Sequence, residues 1–562
     1  MNYGFIGVSP SGPKVEGYSA PVEFFVYAFM YKIFGMNYAA YSKLQTYLCT
    51  FLLGFFFIRF FKESKWFGIL LSILSASILT FYPSFFEWHA SGMENALTHV
   101  LFLLSAYIIV MFVITEKINF YYAPILFLST ISRIESVYHI APILIMLSIY
   151  WFIKYKVFRA LNFSLIVFAI WMLFHFWRYL YFGDLIPNTA YAQDISLFNQ
   201  MSQLFSLEVY YLKQSFQLSM EIFVSHGGYL LLLFFPLVGF LKKDTRIHFS
   251  IILLLSFVIT SFFNPYLFGP TRIDHSRTTT QMAVFVILII SLLIFHLNLT
   301  KKSIFIAALS LFLSVFIFMN LKKEAFYLGW QTKWFNQNRK EFVRAAEKEK
   351  LPRPTISNPD LGVMSWYKQF NIVDLGMLGT PIMAKLQNGP AMANYFFEFA
   401  APDLIESHGW WSCRYYNSLF TDTRFRKRYV PIREEMGSLS YCGDKKLPYG
   451  IWIRKDILKN ANSNERKLIN ELEKNLSIDR LAQELTSCQT TPDSNCVYVS
   501  RTAYRFLPEF RKHNEIERLN KIFEKSRTKN YDLYLINGYR SGQVNNPLLK
   551  LVGSPNPAKA GD

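Results

Sequence analysis

Hydropathy divides this chain near Lys322. Before that residue, long and nearly uncharged runs recur at 41–61, 66–81, 94–114, 120–131, 137–153, 160–180, 227–241, 248–263, 282–297 and 303–319; most charge clusters lie beyond it. A hydrocarbon core about 30 Å thick needs roughly 20 apolar residues as helix, and fewer where neighbouring helices shield a short span. The pattern predicts about ten membrane crossings. The apolar, aromatic stretch 21–34 is too short to cross and is expected as an interfacial helix on the outer face. After residue 319 the period changes: 354–357, 371–375 and 449–454 suit short strands, and 361–368 suits a helix between them. From 462 to 529 apolar residues recur at helical spacing, and the Pro/Gly/Asn-rich end from 541 is expected to be poorly ordered.

Basic residues orient the spans, because Lys and Arg are retained in cytoplasmic loops. Lys62 and Lys65, then Lys117, then Lys154, Lys156 and Arg159, then Lys242, Lys243 and Arg246, then Lys301 and Lys302 fall in every second connection. The remaining connections and both chain ends then face outward. The fold class expected is an α-helical polytopic membrane domain followed by a C-terminal extracytoplasmic α/β domain with a helical tail. In residue terms, 1–40 is the outer-face loop and interfacial helix, 41–320 the membrane domain, 321–460 the α/β domain and 461–562 the tail.

Composition agrees with this division: 52% of the residues are hydrophobic and 18% aromatic against 17% charged, which an ordinary soluble domain does not show. The net charge of +19 raises nucleic acid as a partner, but no nucleic-acid motif accompanies it. Loop bias and a basic surface facing anionic lipid account for the excess. Cys413, Cys442, Cys488 and Cys496 lie in the domain placed outside the cytoplasm, where Cys488 with Cys496 and Cys413 with Cys442 are the favoured disulfides and free thiols the alternative. Residues 1–20 have neither the basic start nor the apolar core of a signal peptide.

Four outward clusters carry candidate chemistry. Glu87, His89 and Glu94 stand at the mouth of a span; Glu87 suits a solvated charge as well as a functional one, whereas Glu94 begins an apolar run. Arg133 and Glu135 share a very short turn, where the arginine can bind phosphate or simply pair with the glutamate. Asp184, Asn188 and Tyr191 follow an aromatic belt and can grip sugar hydroxyls or form a cap and turn around Pro187. Arg272, Asp274, His275 and Arg277 precede a span, and their cationic groups suit a phosphate or pyrophosphate, whether on a leaving group or a lipid headgroup. There is no P-loop, no Gly-x-Ser-x-Gly elbow, no CxxC pair and no zinc-spaced histidine set. No cofactor is expected, and the motifs do not decide on a divalent metal.

The succession Val15-Glu16-Gly17-Tyr18-Ser19-Ala20-Pro21, Ser91-Gly92-Met93-Glu94, Ser132-Arg133-Ile134-Glu135 and Gly183-Asp184-Leu185-Ile186-Pro187-Asn188-Thr189-Ala190 resembles the GT-C glycosyltransferases, and among them the terminal arabinofuranosyltransferases of mycobacteria. Val373-Asp374-Leu375-Gly376-Met377 is similar to the Asp-x-Gly-Met/Leu segment of that family's periplasmic domain. The resemblance implies transfer of a sugar from a polyprenyl-phosphate donor to an envelope glycan or lipid, with inversion, on the outer face of a bacterial inner membrane. It also implies a first transmembrane helix and an Asp-Asp loop ahead of the Glu-Gly-Tyr motif; this sequence begins after both, so a misassigned start or a truncated form is expected. Glu94 and Glu16 are the carboxylates left as candidate bases, with Arg133, Glu135, Asp184, Asn188, Arg272, Asp274, His275 and Arg277 as candidate substrate-binding residues. Two other readings stay open: a flippase or transporter of lipid-linked saccharides, which calls for polar residues through both leaflets, and a catalytically inactive membrane scaffold.

Overall fold

Runs of Leu, Ile, Val and Phe make the first group of elements helical, even across Pro142 and Pro265, and polar caps or glycine punctuate them. The computed structural model describes residues 15–61, 65–184, 187–192, 197–234, 244–268, 275–296, 328–361, 370–386, 390–437, 446–490 and 497–519. The expected span 303–319 and the end from 541 lie outside the described residues. The chain forms two units, Ser19–His175 with Ile195–Tyr327, and Met1–Tyr18 with Phe176–Asp194 and Leu328–Asp562.

The described elements of the first unit are all helices. In order come α1 (Pro21–Phe34), α2 (Tyr38–Phe60), α3 (Lys65–Phe81), α4 (Pro83–Ala90), α5 (Asn95–Thr115), α6 (Ala123–Thr130), α7 (Ser136–Tyr155) and α8 (Arg159–Phe182), the last of which runs across the unit boundary. After α9 (Asn188–Ala192) of the other unit, the chain continues through α10 (Leu197–Phe205), α11 (Val209–Ser225), α12 (Gly228–Phe234), α13 (Thr245–Phe268) and α14 (Gln281–His296). Local chemistry sets the corners: Gly35, left-handed at φ 63°, ends α1, and the Asn37 side chain accepts from Ala40 N at 2.9 Å to start α2.

Among the described residues, five helices are long and apolar enough to cross a membrane: Asn95–Thr115, Ser136–Tyr155, Arg159–Phe182, Thr245–Phe268 and Arg277–His296. Gly68–Leu79 and Phe120–Thr130 are apolar but shorter. The 23-residue α2 carries Ser42, Lys43, Gln45 and Thr46 in its first half, which lowers its hydropathy. Helix α14 is the centre of the bundle, buried over 94% of its apolar window, whereas the window in α8 is only 17% buried. Leu48 and Phe51 on α2 and Leu165 and Phe168 on α8 are exposed, the pattern of helices whose outer surface meets lipid rather than water.

The second unit contains α15 (Leu328–Lys348) and a five-stranded sheet of β1 (Thr355–Asn358), β2 (Asn371–Asp374), β3 (Leu404–Ser407), β4 (Tyr429–Gly437) and β5 (Leu447–Arg454), in the order β2-β1-β3-β5-β4. The first three strands in that order are parallel, while β5 runs antiparallel to both β3 and β4. Strands β2 and β3 are buried at every residue, as expected of strands covered on both faces. The three expected strands are present, and β3 and β4 are additional. The tail is helical, with Asn464–Lys474, Ile478–Thr490 and Val497–Lys512 packing around Leu468, Leu481, Val499 and Leu507. The expected helix at 361–368 lies almost wholly outside the described residues. Cys413 is disulfide-bonded, and the side chains of Cys442, Cys488 and Cys496 lie outside the description.

Candidate functional site

In the first unit, three apolar helices begin within reach of one another. Glu94 is the N-cap residue of α5, Glu135 that of α7, and Arg277 sits in the short 3-10 turn His275–Thr279 ahead of α14. Helix N-termini present unpaired N–H groups and the positive end of the dipole, so they favour anionic groups. Arg133 Nη1 donates to Glu94 Oε1, Arg133 Nε donates to Glu135 Oε1 at 2.5 Å, and Arg277 Nη2 reaches Glu94 Oε1 and Oε2 at 2.8 and 3.0 Å. Two arginines and two glutamates thus form one buried cluster of zero net charge, drawn from segments as far as 183 residues apart. Glu94 and Arg133 are each only 6% exposed.

The surroundings fix these groups. Gly92 sits at φ +77°, and a Cβ there would approach Ser42 Cβ to 2.9 Å, so the turn before Glu94 needs glycine both for its backbone and for its space. Tyr38 OH donates to Gly92 O at 2.7 Å, and Ile134 N donates to Ser19 O at 3.1 Å. Asn95 Nδ2 donates to Arg277 O at 2.8 Å and to Thr280 Oγ1 at 3.1 Å, while a His99 ring nitrogen lies 2.8 Å from the same hydroxyl. The Arg277 guanidinium lies 5.7 Å from the centroid of the Trp88 ring.

Glu87 and His89 stay in the first unit, where the His89 ring lies 3.0 Å from Thr50 Oγ1 and 3.1 Å from a His99 ring nitrogen; the other sequence candidates belong to the second unit or lie outside the description. Glu16 forms a two-pronged pair with Arg178, whose Nε donates to Oε1 at 2.8 Å and whose Nη2 donates to Oε2. Asp184 accepts from Lys385 Nζ at 3.0 and 3.2 Å. Asn188 Nδ2 donates to the carbonyls of Met377 and Leu378 at 2.8 and 2.6 Å, and Ala192 joins the core around Leu375 and Met377. In that turn Asp374 accepts from Gly376 N at 2.8 Å and Gly379 N at 2.7 Å, so the Asp-x-Gly-Met segment is a carboxylate-capped turn on which Asn188 docks. Arg272 and Asp274 fall outside the described residues, as does the side chain of His275.

Sequence reasoning passed over two groups. The first is Glu23 with Gln45, whose signal is a lone carboxylate in an aromatic helix. The second is Asp360, Glu406 and His408, which follow or end the parallel strands β1 and β3, at the carboxyl edge where α/β sheets gather ligands. Their donor atoms lie within 4.8 Å of one another and could hold a divalent ion. Here the imidazole bridges the two acids, Nδ1 lying 2.8 Å from Glu406 Oε1 and Nε2 3.3 Å from Asp360 Oδ2. Burial pulls the His408 pKa down, but Glu406 and Asp360 outweigh it and hold it above its ordinary value. Burial pushes the Asp360 carboxyl up to about 6.

The chain matches no family model, no curated protein and no solved structure.

Proposed function

We propose that the chain is a membrane glycosyltransferase that moves a sugar from a polyprenyl-phosphate donor to a cell-envelope glycan or lipid on the outer face of the inner membrane. The observation that carries this reading is the Glu94–Arg133–Glu135–Arg277 cluster. Burying four charges at the ends of apolar helices costs several kcal/mol per ion, and apolar side chains of similar size make a more stable packing. Such a cluster is kept where the charges have work to do. Two guanidiniums beside three helix N-termini make a receptor for a phosphate, and without one Glu94 serves as their counter-ion. Donor binding exchanges that carboxylate for the lipid phosphate, which the arginines then stabilise as it leaves.

The order of motifs similar to the GT-C transferases supports the same reading, as do the five apolar helices. The alternation of basic loops supports further spans and an extracytoplasmic second unit. A flippase for lipid-linked saccharides calls for polar groups along a path through both leaflets, and the described cluster is confined to one end of its helices.

The test is incubation of the purified chain in nanodiscs with a panel of prenyl-phosphate sugars and envelope acceptors, measuring released prenyl phosphate. Release that Arg277→Met lowers by roughly 10²–10³-fold supports the proposal. Saccharide movement across proteoliposomes with no release from any donor overturns it in favour of transport.

A further inference from the structure

The buried carboxylates among the described residues of the first unit are Glu23, Glu94 and Glu135. Glu94 and Glu135 are both held by Arg133, and a carboxylate neutralised by a guanidinium is a poor proton acceptor. Glu23 differs. It lies in the first turn of α1, 8% exposed, and its Oε2 accepts from Gln45 Nε2 at 2.5 Å. Its Oε1, the Gln45 Oε1 and the Tyr41 hydroxyl make no well-aligned hydrogen bond, although Tyr41 stands close enough to Glu23 to favour its charged form. Gln45 and Tyr41 are 7% and 3% exposed, so three nearly enclosed side chains bring polar atoms with spare hydrogen-bonding capacity to one place. Buried polar atoms short of a well-formed hydrogen bond call for an explanation, and a polar ligand received there is one.

Two hydrogen bonds tie the segments that carry that place to the arginine cluster. Ser19, one turn ahead of Glu23, accepts the Ile134 N–H from the Arg133 turn, and Tyr38 ties the start of α2 to the Gly92 carbonyl beside Glu94. Tyr38 is also within electrostatic reach of both Glu23 and Arg277.

The geometry points to Glu23 as the general base of the transfer, with Gln45 and Tyr41 as the groups that receive the acceptor hydroxyl beside it. This assignment rests on the transferase reading above and names a residue for its proton step. The acceptor O–H gives its proton to Glu23 Oε1 as the acceptor oxygen bonds to the anomeric carbon. The bond from that carbon to the phosphate oxygen breaks, and its electron pair leaves with the prenyl phosphate held by Arg133 and Arg277. Helix α1 is outside the five apolar spans, and burial pushes the Glu23 carboxyl up to about 7, with Gln45 and the nearby Tyr41 pulling against it. A base poised there is matched to a neutral working pH. The other titratable groups in electrostatic contact with Glu23 are Tyr38, Tyr41 and Cys49, all on α2 and all ordinarily uncharged at neutral pH.

The test measures prenyl-phosphate release by the full chain across pH at saturating donor. The wild type should lose rate as pH falls through about 7, because the base must be deprotonated. Glu23→Gln should lower kcat by roughly 10²–10⁴-fold, remove that acid limb and leave the donor KM within about twofold. Gln45→Ala removes a hydrogen bond that favours the charged carboxyl, so it should move the limb to higher pH and, because Gln45 also receives the acceptor, raise the acceptor KM. It also keeps the assignment testable if Glu23→Gln fails to fold. Wild-type release together with an unaltered rate in a folded Glu23→Gln, or with an unmoved limb in Gln45→Ala, overturns the base assignment alone. Absence of wild-type release overturns the transferase reading instead.

Discussion

The two units each bury a network of arginines and carboxylates, and they build it in different ways. In the second unit, Arg454 at the end of β5 donates to both Glu465 oxygens at 2.8 Å and to Asp403 Oδ1 at 3.1 Å. Arg501 and Arg505, both on the helix Val497–Lys512, add bonds to Glu465 Oε2 at 2.7 Å and Asp403 Oδ2 at 2.6 Å. Asp403 Oδ2 also accepts from Thr355 N at 2.8 Å as β1 begins. Strands and helices supply most of these groups, and Asp403 and Glu465 each meet two arginines. This network joins the sheet to the helical tail.

In the first unit the charged groups come instead from helix caps and connecting turns, and Glu94 spans two arginines that come from segments far apart in sequence. Connecting segments are where binding groups are placed on a rigid scaffold. On the proposed reading, the contrast separates a network that serves the fold from one that exchanges a member for a ligand.

That contrast can be broken at its strongest point first. Arg454→Leu should destabilise the second unit by about 3–5 kcal/mol, because it leaves two buried acids short of a partner; a fluorescence melt unchanged from wild type would remove the structural assignment. Gly92→Ala comes next. It places a side chain at φ +77° against Ser42, for a cost of about 1–2 kcal/mol, and should lower transfer by shifting Glu94 while leaving the melting of the second unit unchanged.

The smallest effect concerns pH and sharpens the comparison within the second unit. Asp360 and His408 both have folded pKa values above their ordinary ones, so the folded state binds their protons more tightly than the unfolded chain does. The stability they contribute is complete below the ordinary values of 3.8 and 6.5, and is lost as pH rises through about 6 for Asp360 and through the raised value for His408. Melting of the second unit should therefore fall as pH is raised above neutrality, and His408→Gln should flatten that slope. Glu465 carries the opposite sign. Burial raises its carboxyl, but Arg454 and Arg501 outweigh burial and hold it well below the usual carboxylate range. Its contribution is lost only in strong acid.

Much of this was legible in the sequence because hydrophobic period and length are local signals. The expected runs at 94–114, 137–153, 160–180, 248–263 and 282–297 coincide with the five long apolar helices. The strands at 355–358, 371–374 and 447–454 follow from β-branched and aromatic residues between turns. Strand β4 was not legible, because Tyr429–Gly437 carries Pro431 and the charged run Arg433-Glu434-Glu435 and reads as a polar loop. Four of the candidate site residues, Glu94, Arg133, Glu135 and Arg277, meet in space, since each stands where an apolar run begins. Asp184 and Asn188 turned out to be engaged by Lys385 and the turn after Asp374, a pairing across about 190 residues that no local pattern discloses. Glu23 escaped attention because a single acid in an aromatic helix looks like a solvated end until its burial is known.

The most direct measurement is the affinity of the nanodisc-embedded chain for a prenyl phosphate without sugar. If Arg133 and Arg277 trade Glu94 for phosphate, Glu94→Gln removes the internal competitor and should tighten binding about tenfold, ~1.4 kcal/mol, while Arg277→Met should weaken it at least as much. Equal affinity in all three proteins would contradict the exchange and leave the cluster a structural ion network like that of Arg454.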